Sequence, residues 1–172
     1  VKTEELTRFA FPEVTMRGLV SFKGKLEGEG RKYKFNGGAS SADLLADTTR
    51  LRGVQLPQVA VNGEDKQLKL TLNRVSVQTV NVDIVEISGV SVGSINGEIN
   101  IKGKATESKF DAPSANVAAV NWTESELSNL TLSKLTTTVR GKEYKVTADA
   151  RLPGGQISGI EFTDASANAE FD

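Results

Sequence analysis

The sequence predicts an all-β protein built from many short antiparallel strands. Apolar residues recur at every second position, as in Leu68, Leu70 and Leu72, which is the spacing that places them on one face of a strand. Turn signals rich in Gly and Asn separate these runs at intervals of about ten residues. Aromatic residues make up only 6% of the chain, so a thin, extended sheet is favoured over a bulky core. Two arrangements stay open: an elongated curled sheet forming an open trough, and a two-layer β-sandwich.

The individual strands follow from the alternation, taken in order along the chain. They are predicted at 14–22, 24–28, 31–38, 54–61, 67–77, 79–87, 98–105, 115–120, 127–139, 143–151 and 157–163. Turns are predicted where Gly and Asn tolerate positive φ, at Asn62-Gly63, Asn96-Gly97, Arg140-Gly141-Lys142 and Gly154-Gly155. Ile84 and Val85 are adjacent apolar residues, and this shift in the alternation predicts a β-bulge or a bend between two layers.

Two segments interrupt the strand pattern. Residues 40–49 fit a short helix with a serine cap, but Ala42, Leu44 and Ala46 fit a strand equally well. Residues 122–126 are predicted to form a loop or one helical turn before the next strand.

The length of 172 residues suits one domain, residues 1–172, or a fragment of a longer repetitive β-protein. The chain begins at Val1 with no signal peptide, so we expect a mature or excised piece. No apolar run approaches the roughly 20 residues that a membrane-spanning helix needs, so no membrane span is expected within this segment.

Charge and composition argue against several functions. Basic and acidic residues number 21 and 22 and are interspersed, which gives no basic face for nucleic acid. The chain has no Cys and no His, so thiol nucleophiles, Ser-His pairs and the commonest metal ligands are missing. The closest carboxylate pairs, including Glu64 with Asp65 and Glu124 with Glu126, fall in predicted loops or termini. We therefore predict a protein that is not an enzyme, with no catalytic residue, metal site or cofactor.

A weak internal repeat accompanies the strand pattern. Residues 94–103 (SINGEINIKG) and 153–162 (PGGQISGIEF) each place a small polar turn before an alternating strand. Together with the LSNLTL run at residues 127–132, this phrasing resembles the AsmA-like and TamB-type proteins of bacterial envelopes, a repeat family within the bridge-like lipid carriers. The resemblance extends from about Gly18 to Phe162 and implies an open β-sheet trough.

The resemblance also implies a function and a location. We expect a periplasmic or cell-envelope segment that shields or conducts lipid acyl chains, or outer-membrane client strands, in lipid transport or outer membrane biogenesis. Neighbouring β-repeats of the parent protein would be its other partners. The alternative is a structural or adhesive β-sandwich module of a secreted, surface or filament protein, which would be extracellular. The alternating apolar residues predicted to line a lipid-facing surface are Leu68, Leu70, Leu72, Val80, Val82, Ile84, Ile99, Ile101, Leu130 and Leu132.

Overall fold

The fold is a single antiparallel sheet. A computed structural model describes residues 16–102, 105–140 and 143–171. The strands are β1 (Met16–Gly18), β2 (Ser21–Glu29), β3 (Lys32–Ala46), β4 (Thr49–Glu64), β5 (Gln67–Val82), β6 (Val85–Lys102), β7 (Ala105–Trp122), β8 (Ser125–Arg140), β9 (Glu143–Ile157) and β10 (Ile160–Phe171). The predicted all-β class is confirmed. All ten of these strands belong to one open sheet rather than to two packed layers.

The strands follow one another as a meander. From β3 to β10 each strand pairs with the next strand in the chain, and β1 and β2 lie one after the other along the outer edge of β3. Among the described residues, links of two residues join consecutive strands, and from β2 onward the first residue of each such link has positive φ. The first residues with this geometry are Gly30, Asp47, Asp65, Asp83, Thr123 and Ser158. Each of these tight hairpin links keeps the two strands that it joins side by side.

The strands are longer than the sequence pattern predicted. The predicted segments 67–77 and 79–87 are divided differently, because β5 runs unbroken to Val82 and the hairpin turn falls at Asp83 and Ile84. The apolar pair at Ile84 and Val85 therefore marks a hairpin end, and the predicted bulge or layer bend at this point is wrong. The physical reason is that Asp83 adopts a φ of 50°, which closes the turn.

Three predicted turns lie inside or at the end of strands. Asn96-Gly97 is in the interior of β6, Gly154-Gly155 is within β9, and Asn62-Gly63 is near the end of β4. Two of these glycines, Gly97 and Gly155, leave space for aromatic rings on neighbouring strands, as described below. The fourth predicted turn, at residues 140–142, includes two residues that lie outside the described ones.

The two ambiguous segments are also resolved. Residues 40–46 are the last part of β3, so the strand alternative is correct and the helix is not. The predicted loop before β8 is confirmed in a shorter form, with Thr123 and Glu124 as the link between β7 and β8. The described part of the chain holds no helix of the length and apolar character needed to cross a membrane.

Residues with positive φ inside the strands form a line across the sheet. Gly53, Gly89, Asn129 and Asp164 all have positive φ, between 53° and 63°, on alternate strands β4, β6, β8 and β10. At each of them the regular pairing of residues is interrupted, as the registers of the neighbouring strands show. A second interruption follows Arg74 on β5 and Lys134 on β8. Irregularities of this kind bend a strand locally and offset its alternation.

The offset keeps apolar side chains on one side along the whole length of each strand. On β6 the exposed positions are 86, 89, 91, 93, 96 and 98. The apolar residues between them step by three at each interruption, from Ile87 to Val90 and from Val92 to Ile95, and by two elsewhere. A strictly regular strand would instead have turned its middle third toward the opposite face.

Candidate functional site

One side of the sheet is apolar from strand to strand. The registers place Val75, Val92, Ala115, Leu132 and Ala150 directly beside one another on β5 to β9. We call the side of the sheet that carries this row the apolar face. Side chains that share a row on neighbouring strands lie on the same face and pack against each other.

The centre of the apolar face holds a cluster of buried residues. Val75 and Val92 are each 8% exposed, and Ala115 is 3% exposed. Partly buried neighbours on the adjoining strands pack against this cluster: Leu56, Leu72, Val90, Ile95, Leu132 and Leu135. Burial therefore comes from side chains of the same sheet, which enclose the centre and leave the surrounding residues half-buried.

Nine of the ten predicted lining residues lie on the apolar face. They are Leu68, Leu70, Leu72, Val80 and Val82 on β5, Ile99 and Ile101 on β6, and Leu130 and Leu132 on β8. Ile84 does not, because it sits in the turn between β5 and β6 with 72% of its surface exposed. The strand β5 ends two residues earlier, at Val82.

The sequence pattern missed the middle of this face. Val77 and Val90 belong to it, and so do the buried residues Val75, Val92 and Val117. A search for uninterrupted alternation passes over them because the irregular positions shift the count by one. The detectable signal is a three-residue step between two alternating runs, repeated on consecutive strands.

Glycines on the apolar face make room for aromatic rings. Phe110 lies opposite Gly97, and a Cβ atom on Gly97 would stand 2.6 Å from Cδ1 of the ring. Phe162 lies in the same way opposite Gly155, where the corresponding distance to Cζ is 3.0 Å. A ring that covers a glycine on the next strand fills the space that a side chain would occupy and keeps the apolar surface continuous.

The opposite side of the sheet is polar. Arg50 donates two hydrogen bonds to the carboxylate of Asp43, at 2.8 Å and 2.6 Å. Thr71 donates to the Asn96 side chain across 3.2 Å, and Lys69 forms an ion pair with Glu98 across 3.5 Å. We call this side the polar face. Most of its charged groups are exposed, so individual pairs contribute little to stability.

The pKa shifts on the polar face are caused by individual ion pairs. The hydrogen bonds from Arg50 lower the pKa of Asp43 below its usual value, and those same bonds raise the pKa of Arg50. In the same way, a hydrogen bond from Lys134 to Asp149 raises the pKa of Lys134. Each pKa shift comes from an ion pair between residues of two neighbouring strands.

The acidic residues noted in the sequence as close pairs have separate surroundings. Glu64 contacts Lys32 across 3.1 Å, and Asp65 contacts Arg31 across 3.2 Å. Glu124 lies in the β7–β8 link, whereas Glu126 lies within β8. Among the residues that the structure describes, no group of three or more acidic, Cys or His side chains is placed to hold a metal ion.

No protein-family model, curated protein or solved structure matches the chain. The candidate site is therefore defined by the geometry of the sheet alone.

Proposed function

We propose that this chain is a non-catalytic segment of a bacterial envelope protein whose apolar face shields or conducts lipid acyl chains across the periplasm. The observation that carries the proposal is the apolar face itself, a continuous surface on a single open sheet. Large contiguous apolar surfaces on folded proteins mark interaction sites. The resemblance to AsmA-like and TamB-type proteins supports the same function, because their open troughs shield acyl chains.

The dimensions of the apolar face suit an extended hydrocarbon chain. Strands β3 to β10 together span about 34 Å at the usual spacing of neighbouring strands. Because most side chains of this face are aliphatic or aromatic, an acyl chain lying across several strands meets mainly apolar contacts along its length. The contact requires no directional bond, so different chain lengths could bind.

The energetics are sufficient for reversible binding. Burial contributes roughly 0.8 kcal/mol per methylene, so six or seven buried methylenes contribute about 5 kcal/mol before the cost of ordering the chain. Binding of this strength lets a lipid move along the surface instead of being held permanently.

Acyl chains fit this site better than unfolded client strands. A client strand would pair with backbone groups at a sheet edge, whereas the candidate site is a face. At the centre of the apolar face, at least three strands separate Val75 and Val92 from either outer edge of the sheet, so a partner bound there contacts side chains only.

The test is a fluorescent fatty-acid titration with Leu70→Glu. Leu70 is a half-buried residue of the apolar face, opposite Val61 and Gly97. On an open sheet the new carboxylate can still reach water, so strand content should persist. The charge should weaken binding about tenfold or more, because the ligand would have to desolvate it.

The matched control is Thr71→Glu, which adds the same charge at the next residue but on the polar face. We expect this variant to bind the fatty acid like the wild-type chain. If Leu70→Glu loses strand content in circular dichroism, Leu70→Thr replaces it, with a smaller expected loss of affinity. A wild-type chain that binds no fatty acid, or equal binding by both Glu variants, would contradict the proposal and favour a structural or adhesive module.

A further inference from the structure

The outer edge of β2 is a long, open strand edge. All nine residues of β2 are exposed, and β2 pairs only with β3 among the described strands. Leu26 and Phe22 are 71% and 47% exposed, respectively. An edge of this kind presents unpaired backbone groups that can pair with another strand.

The charges along β2 have opposite signs on the two sides of Leu26. On the polar face the strand reads Lys23, Lys25, Glu27 and Glu29, with two basic residues on one side of Leu26 and two acidic residues on the other. If a second copy pairs antiparallel with Leu26 opposite Leu26, Lys25 faces Glu27 and Lys23 faces Glu29, each pair occurring twice. Opposite charges in directly facing positions stabilise antiparallel strands.

This register is the one that the charges select. Pairing must join residues of the same face, so the two nearest alternative registers move the centre of the pair from Leu26 to one of its neighbours in sequence. One of them places Lys25 opposite Lys25, and the other places Glu27 opposite Glu27. Like charges in directly facing positions destabilise a strand pair.

The apolar side of β2 agrees with the same register. It places Gly24 opposite Gly28, so no bulky side chains meet beside the central pair of Leu26 residues.

The other free edge of the sheet lacks this property. On β10 the charged residues are Glu161, Asp164 and Glu170, all acidic. Asp164 also has a φ of 53° and interrupts the regular pairing with β9. Two copies of β10 would bring like charges together, so the complementarity is particular to β2.

We propose that two copies of this chain associate through an antiparallel β2–β2 pair centred on Leu26. The two-fold axis is perpendicular to the sheet, so the apolar faces of both copies lie on the same side and form one continuous surface. The association does not depend on whether that surface binds lipid.

Charge exchange tests the pairing, with molecular mass measured by sedimentation equilibrium. The wild-type chain should be dimeric at micromolar concentration. Lys25→Glu turns two attractive pairs into repulsive ones and should weaken association about 10- to 100-fold, and Glu27→Lys should do the same. The double variant should dimerise again. An equimolar mixture of the two single variants should form a heterodimer, which a general loss of folding could not produce.

A cysteine at the centre of the pair tests the register. The chain contains no Cys, and facing residues of antiparallel strands have Cα atoms close enough for a disulfide. Leu26→Cys should therefore cross-link on mild oxidation. Lys23→Cys should not, because its copies would lie about 20 Å apart. A monomeric wild-type chain, or equal cross-linking of the two cysteine variants, would overturn the proposal.

Discussion

The two faces of this sheet are built from the same strands, yet they are held together by different forces. On the apolar face, side chains are buried by neighbours on adjoining strands, both in the middle, at Val75 and Val92, and toward the ends, at Leu44 and Ile99. On the polar face, ion pairs such as Lys69 with Glu98 stay exposed to water. Burial of apolar surface therefore dominates on one face, and solvated ion pairs dominate on the other.

The difference shows where the stability of a one-layer sheet comes from. Apolar burial contributes about 25 cal/mol for each Å² removed from water, and on the apolar face residues such as Leu44, Val92 and Ile99 are more than nine-tenths buried. Exposed ion pairs contribute at most about 1 kcal/mol each. Substitutions at matching positions on the two faces should consequently have unequal effects.

The largest difference is expected at the centre of the sheet. Val92→Asp places a carboxylate in the buried cluster and should lower the free energy of unfolding by about 3 kcal/mol or more. Ser91→Asp, at the adjacent residue on the polar face, should change it by no more than about 0.5 kcal/mol. Urea denaturation followed by circular dichroism measures both values. Similar losses for the two variants would show that the faces are not energetically distinct.

A smaller effect is expected where an aromatic ring covers a glycine. Gly97→Val introduces a side chain into the space that Phe110 occupies, so the ring must move and the unfolding free energy should fall by about 2 kcal/mol. The paired variant Gly97→Val with Phe110→Ala should recover part of the loss. Double-mutant denaturation measures this coupling, and strictly additive losses would contradict the packing role of Gly97.

The smallest effect is expected for the best ion pair of the polar face. Since Arg50 lowers the pKa of Asp43, the pair contributes stability above the unfolded pKa of the carboxyl and loses it as the pH falls through the lowered folded value. Arg50→Gln should raise the pKa of Asp43 toward its usual value. Lys69→Gln, a change to a different ion pair of the same face, should leave it unaltered. Carboxyl NMR titration measures the shift, and an unchanged pKa in Arg50→Gln would contradict the assigned cause.

Much of the fold could be predicted because strand formation depends on local pattern. The alternation at Leu68, Leu70 and Leu72 correctly indicated one face of a strand, and the low aromatic content correctly indicated an extended sheet. Strand ends were harder to predict. Asn96-Gly97 has the composition of a hairpin turn, and nothing near it in the sequence distinguishes a turn from a strand interior.

The sequence by itself determined the class of the protein, because a period of two in apolar residues can be satisfied only by strands with one apolar side. The tertiary structure alone decided where each strand continues and where it turns. Gly97 belongs to a strand because Phe110, 13 residues away in the sequence, lies opposite it across the β6–β7 pair. Val75 and Leu72 share a face because an irregular position at Arg74 intervenes. Both outcomes depend on residues of neighbouring strands, whose contacts form only when the sheet assembles.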